Sequence, residues 1–410
     1  MNKHFAKFTG FIVLVAFFTF VFQNITYALP LKTNSSAVAS MYGFLDYGSG
    51  WTTKSSPSFY QSNTSAHIIK SKGKISLSAR GQLRLGFKFK NPDISTFGNI
   101  MADSWPNDFN LELAYVKHKI GKHILIIIGK DWSLVNQRYF HYSSFTFQPY
   151  AAGFQGSKRT PQIAIRYKEN LKNSNVCFWI AGEYRDSKNG VTIGENKSSS
   201  GNLIASSGIS SFISTFPAIA GQILFNFKTG FGQPSQIMAY YEIMPVYLES
   251  SNAKYKENAY LYSIASKLNI KKISLIWQYI HTLGMSGIAG ISGNSFKTFS
   301  YINENGYIIK RTSDALGAET LVKPTRKLYF TLGYVNLNFK NKNKDDDYFL
   351  KNEVKRVQTA FASCVVNITK ITKVFVEFDR IKTKYSTDNK YGDFAKAYGS
   401  KLFIGYRMYF

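Results

Sequence analysis

Arg80, Arg84 and Lys88 recur at even spacing within residues 74–90, where polar and apolar side chains alternate without a break. Ser76, Ser78, Gln82 and Gly86 share their parity, and Ile75, Leu77, Leu83, Leu85, Phe87 and Phe89 hold the other. Strand side chains point alternately to opposite faces, so the cations line the polar face of one long strand. Fixed cations on a channel wall concentrate anions, because a low-dielectric wall focuses their field into the water between. The same period of two places Arg166, Arg356 and Arg407 on the polar faces of later strands, with the carboxylates Glu112, Glu183 and Glu377. Arg138 and Arg159 fall in an aperiodic segment, where no alternation fixes their direction. Arginines set against a few acids would impose a transverse field on a pore. Ion pairs that only stiffen the wall are the plainer reading of the same residues.

Other groupings give no chemistry. Asp345, Asp346 and Asp347 form a charge run that no spaced calcium-ligand loop follows, so a solvated cluster is expected. His281 and Ser286 are separated by a Gly-containing segment and lack a third partner, which reads as a chance pairing rather than a hydrolase. The six histidines show no ligand spacing. Gly81 to Gly86 lies inside a strand rather than opening a helix, so it is no dinucleotide loop. Cys177 and Cys364 are far apart on predicted strands and read as buried or lipid-facing thiols. No catalytic residue, metal or cofactor is expected.

The elements that would position the cations follow from the two ends of the chain. Residues 400–410 alternate, with Leu402, Ile404, Tyr406, Met408 and Phe410 on one face and Lys401, Arg407 and Tyr409 on the other. A closing strand of this kind, ending on an aromatic residue, marks a bacterial outer-membrane β-barrel, with lipid outside and water within. The other end agrees. Lys3 and Lys7 precede an apolar run from Phe8 to Phe22, and small residues allow cleavage near Ala28. Residues 1–28 therefore read as a secretory signal peptide. The run is short of the ~20 residues that a membrane-spanning helix needs. No later stretch is apolar enough to span as a helix, so strands must do it. The net charge of +27 barely changes on removal of the signal. Export removes nucleic acid from the partners such a basic chain suggests.

Residues 29–410 read as one all-β domain, a transmembrane antiparallel barrel with short periplasmic turns and long external loops. Strands are predicted at 41–46, 74–90, 94–104, 109–119, 124–130, 161–168 and 176–185. They continue at 221–228, 236–247, 255–268, 272–281, 311–322, 326–339, 354–368, 373–384 and 400–410. In the strand at 109–119, Leu111, Leu113 and Tyr115 are expected on one face and Asn110, Glu112 and Ala114 on the other. The tally is about sixteen strands, with ~14 or ~18 as neighbouring solutions.

Several segments, taken in order, resemble the DcaP-like trimeric porins. Gln82-Leu83-Arg84-Leu85-Gly86-Phe87 is similar to an early strand of that family, and Gly129-Lys130-Asp131-Trp132-Ser133 to its Gly-x-x-Trp-Ser segment. Arg159-Thr160-Pro161-Gln162-Ile163 with Arg166-Tyr167 resembles the strand that follows the third loop. Arg356-Val357-Gln358 through Glu377-Phe378, and the closing strand, resemble the last three strands. The resemblance implies a sixteen-stranded homotrimer whose third loop, here 132–159, folds inward to narrow the pore. Some members carry an N-terminal coiled coil, whereas the residues after Ala28 run almost directly into the first strand. The expected function is passive diffusion of small hydrophilic solutes across an outer membrane, with a preference for anionic or carboxylated ones. A barrel enzyme and a surface adhesin are the alternatives.

Overall fold

The computed structural model describes residues 30–32, 38–52, 76–91, 95–105, 108–134, 159–184, 217–229, 234–249, 254–284, 300–302, 308–341, 354–385 and 396–410. The signal peptide, Arg138, Ser286 and Asp345 to Asp347 lie outside these residues.

Sixteen strands close into a barrel. The first eight are β1 (Val38–Thr52), β2 (Ser76–Asn91), β3 (Thr96–Trp105), β4 (Asp108–Ile120), β5 (Ile124–Trp132), β6 (Arg159–Asn170), β7 (Ser174–Glu183) and β8 (Ala218–Phe227). Then come β9 (Ser235–Glu249), β10 (Lys254–Ile270), β11 (Ile273–Leu283), β12 (Ile308–Val322), β13 (Leu328–Asn341), β14 (Val354–Asn367), β15 (Thr372–Tyr385) and β16 (Lys396–Tyr409). Each pairs antiparallel with the next. Two three-residue strands, Pro30–Lys32 and Ser300–Ile302, add to β1 and β12.

The seam closes between β16 and β1, with Tyr409 opposite Phe44 and Arg407 opposite Asp46. Phe410 completes it: the Gly43 N–H donates to the Phe410 carbonyl at 2.8 Å, and the Phe410 N–H donates to the Gly43 carbonyl at 3.1 Å. Closure removes the two edges that an open sheet would expose to lipid. Every connection at the end holding the termini is brief, such as 121–123, 171–173 and 271–272. The opposite end holds the long connections, including 53–75, 133–158 and 184–217.

Alternation sorts the wall. On β2, Leu83, Leu85, Phe87 and Phe89 are exposed on the outer face, while Arg84 and Lys88 turn inward. Parts of the other strands are equally apolar on this face, as at Ile163 (61% exposed) and Ile219 (60% exposed). Such exposure of large apolar side chains is expected of a lipid-facing wall and unusual in water.

Three expectations from the sequence change. The first strand is longer than residues 41–46, because Gly48 to Thr52 pair on both sides. Gly48 and Gly50 offer no side-chain alternation to read, yet a Cβ on Gly48 would lie 2.4 Å from the Phe403 ring, so glycine makes room for an aromatic neighbour. Second, β4 changes phase. Met101 pairs with Leu113 and Ala102 with Leu111, which leaves Glu112 as an extra residue in the ladder. A bulge shifts every later side chain to the other face. Leu111 therefore stays outside, while Leu113 and Tyr115 turn inward and are buried. Third, the inner face is partly apolar. Leu224, Met238, Leu261, Ile280, Leu337 and Val357 belong to one buried cluster on it.

Candidate functional site

The candidate site is the inner wall, and it begins at the seam. Phe44 on β1 lies between Tyr409 on β16 and Arg84 on β2. The Arg84 Cζ stands 4.7 Å from the Phe44 ring centroid, and the Arg407 Cζ stands 4.7 Å from the same ring. One residue pair nearer the terminal end, the Lys88 Nζ is 4.0 Å from the Tyr42 centroid. Tyr42 is itself fixed, since its hydroxyl donates to Asn99 Oδ1 at 2.9 Å. Lys373 on β15 adds another cation, 5.0 Å from the Tyr409 ring. A ring face attracts a cation through its quadrupole and leaves the positive charge in place. The seam therefore carries Arg84, Lys88, Lys373 and Arg407 on an aromatic platform, inside the barrel.

A second part of the wall anchors the start of the third loop. The Ser133 Oγ donates to Glu183 Oε2 at 2.7 Å, and the Leu134 N–H donates to Glu183 Oε1 at 2.7 Å. Thr160 Oγ1 donates to Glu183 Oε2 at 3.4 Å. Gln222 on β8 donates to the Leu134 carbonyl at 2.8 Å, and Gln162 on β6 donates to the Trp132 carbonyl at 2.7 Å. Glu183, Gln162 and Gln222 all stand on the inner faces of their strands. After β5 the chain thus turns against the inside of β6–β8. Gly129 helps the approach: its φ of +118° suits glycine, and a Cβ there would meet the Ala114 carbonyl at 2.3 Å. Beside this anchor, the Lys117 Nζ pairs with Asp131 Oδ2 at 2.7 Å, with both side chains largely buried.

The residues singled out from sequence separate into distinct environments. Arg84, Lys88 and Arg407 gather at the seam. Arg166 faces inward on β6 and lies 5.5 Å from the Trp179 ring on β7. Glu183 faces inward but is fully buried under Ser133 and Leu134, so it holds the start of the loop. Glu377 also faces inward and is fully buried. Arg356 does not face the lumen. It is exposed on the outer wall, next to Val357, which is 1% exposed on the inner one. Its strand carries mixed residues on both faces, so only pairing with the lipid-facing Phe378 side of β15 sets its phase. Arg80 pairs with Gly48, and Arg159 with Trp132. The side chains of Arg80, Glu112 and Arg159, like Arg138 as a whole, lie outside the described residues. His281 is on the outer wall too, with its Nδ1 2.7 Å from Asp314 Oδ1.

Sequence reasoning did not find Phe44, Tyr42, Lys117, Lys373 or Gln222. Phe44 and Tyr42 sit on the inward parity of a strand whose length was underestimated. Lys117 follows the bulge, so its parity could be read only after the register was known.

Neither a family model nor a curated protein matches the chain. Solved structures do. The outer-membrane channel DcaP of Acinetobacter baumannii superposes with a TM-score of 0.68 at 16% identity, over 93% of this chain and 99% of that one. The fold is that of the outer-membrane porins. An anion-selective porin from Comamonas acidovorans shares this porin fold at a TM-score of 0.54 and 13% identity, over 91% of this chain and 100% of its own. The trimer form of OmpT, an outer-membrane protein of Vibrio cholerae, does so at 0.53 and 10%, over 92% and 100%.

Proposed function

We propose that the chain is an outer-membrane porin of the DcaP-like group, a water-filled channel for passive diffusion of small hydrophilic solutes that favours anionic or carboxylated ones. The observation that carries this reading is the placement of Arg84, Lys88 and Arg407 over inward aromatic rings of a closed barrel. The inward turn at Ser133 and Leu134 supports the rest of the proposal, in which residues 132–159 narrow the pore beside that cationic wall. A homotrimer with a signal peptide removed near Ala28 completes it.

Planar-bilayer recording under a salt gradient tests the reading. Stepwise conductance with an anion-selective reversal potential is expected. A cation-selective reversal overturns the anion preference, and the absence of conductance overturns the porin.

A further inference from the structure

The outer wall is not apolar throughout. Its departure lies on β12–β15, towards the end that holds the long connections. Register places Ala318, Tyr334, Ala360 and Arg380 in one cross-strand row, with Thr320, Leu332, Ala362 and Phe378 in the next row towards the terminal end. Small side chains there leave a groove of about 500 Å³ in the outer surface. Ala318, Ala360 and Ala362 line its floor, and Leu332, Tyr334 and Phe378, exposed by 64%, 45% and 47%, rise beside it.

Beyond this groove the same face becomes basic. Arg380, Lys382 and Lys384 follow one another on the outer parity of β15, and Lys384 pairs with Arg356 on β14. The Arg356 Nε donates to Asn336 Oδ1 at 2.8 Å, and the Gln358 amide donates to the Tyr334 hydroxyl at 2.5 Å. These bonds tie β14 to β13 and hold the polar heads against the wall. Asp314, on the same row as Arg356, is occupied by His281 and Tyr279 at 2.7 Å each and by Lys340 at 3.6 Å.

An apolar groove that ends in a row of cations matches an amphiphile with an anionic head. We propose that the outer face of β12–β15 binds a phosphorylated glycolipid of the external leaflet, with phosphates on Arg356, Arg380, Lys382 and Lys384 and one acyl chain in the groove at Ala360. Guanidinium groups bind phosphate through paired N–H donors, and ammonium groups add charge. The cations stand near the end with the long connections, which faces outward in such barrels, so the external leaflet supplies the lipid. The proposal rests on the barrel's lying in an outer membrane.

Full-length protein in detergent is mixed with bisphosphorylated lipid A or with its dephosphorylated form, and bound lipid is counted by native mass spectrometry. The wild type is expected to retain the phosphorylated form and release the other. Each cation near an anionic headgroup contributes about fivefold to affinity. The combined variant Arg356→Ala, Arg380→Ala, Lys382→Ala and Lys384→Ala should therefore weaken binding by about several hundredfold. Ala360→Trp fills the groove and should weaken it with every cation intact. Barrel closure of both variants is checked by their heat-dependent gel mobility. Equal retention of the two lipid forms, or variants that bind like the wild type, would overturn the proposal. So would a change in oligomeric state without a change in lipid binding, which would make this face an interface between copies. Bilayer conductance separates this proposal from the porin reading. Lipid binding without conductance leaves the lipid site and removes the pore, and the reverse result does the opposite.

Discussion

At the seam, Arg84 and Arg407 share the face of Phe44, and Lys88 lies over Tyr42, so positive charge is held on the inner surface by rings. Across β4–β8 the charges are used differently. Asp131 is tied to Lys117, and Glu183 is buried under the backbone and hydroxyl groups that it accepts from. One region gathers cations against rings, and the other uses carboxylates to fix a loop. The difference lies in the partners: an aromatic quadrupole attracts a cation over its face, whereas a carboxylate accepts from an ammonium or from several N–H and O–H donors at fixed points. Selectivity should therefore respond to the seam, and stability and pore size to the anchor.

Changes at the anchor should have the largest effects. Lys117→Met strands Asp131 in a buried position, which is expected to cost about 3–5 kcal/mol of barrel stability. Urea unfolding followed by gel mobility measures it, and a shift no larger than that of Lys122→Met, in an exposed turn, would mean that the pair is not structural. Glu183→Ala leaves the Ser133 hydroxyl and the Leu134 N–H without their acceptor, a loss of about 2–3 kcal/mol. If the loop narrows the pore, single-channel conductance should rise in this variant; an unchanged conductance would separate the anchor from the constriction.

Effects at the seam should be smaller in energy and specific to ions. Arg84→Ala with Arg407→Ala should lower the anion-to-cation permeability ratio several-fold and cost about 1–2 kcal/mol of stability through the two lost ring contacts, less than either anchor variant. A reversal potential that does not move would place the selective residues elsewhere. The mildest change is Phe44→Leu, which removes the platform and keeps both guanidiniums. About 0.5–1 kcal/mol of stability should be lost, with a slight drop in anion preference. A drop equal to that of the double arginine variant would show that the ring itself holds the charges in place.

Much of the wall is legible in the residue pattern alone. The alternation of residues 74–90 identified the inward parity of Arg84 and Lys88, and the ending on Phe410 identified the seam. The alternation failed where a local event reset it. Glu112 sits in a bulge, so Leu113 and Tyr115 change sides, and nothing in the residue types marks the extra position. It also failed on β14, where Arg356, Gln358 and Ala360 alternate with Val357, Thr359 and Phe361, and neither face is plainly apolar. There the outer side was set by the neighbouring strand.

The sequence by itself determined that this chain is a closed sheet with an apolar outer face. A period of two, repeated along about sixteen segments, admits that architecture whatever the neighbours are. Tertiary structure alone decided which charges work together. Register brought Arg84 and Arg407 from opposite ends of the chain onto one phenylalanine, buried Glu183 beneath Ser133 and Leu134, and turned Arg356 to the outer wall. These outcomes depend on pairing between strands, and pairing is a property of the whole barrel, fixed only when the last strand meets the first.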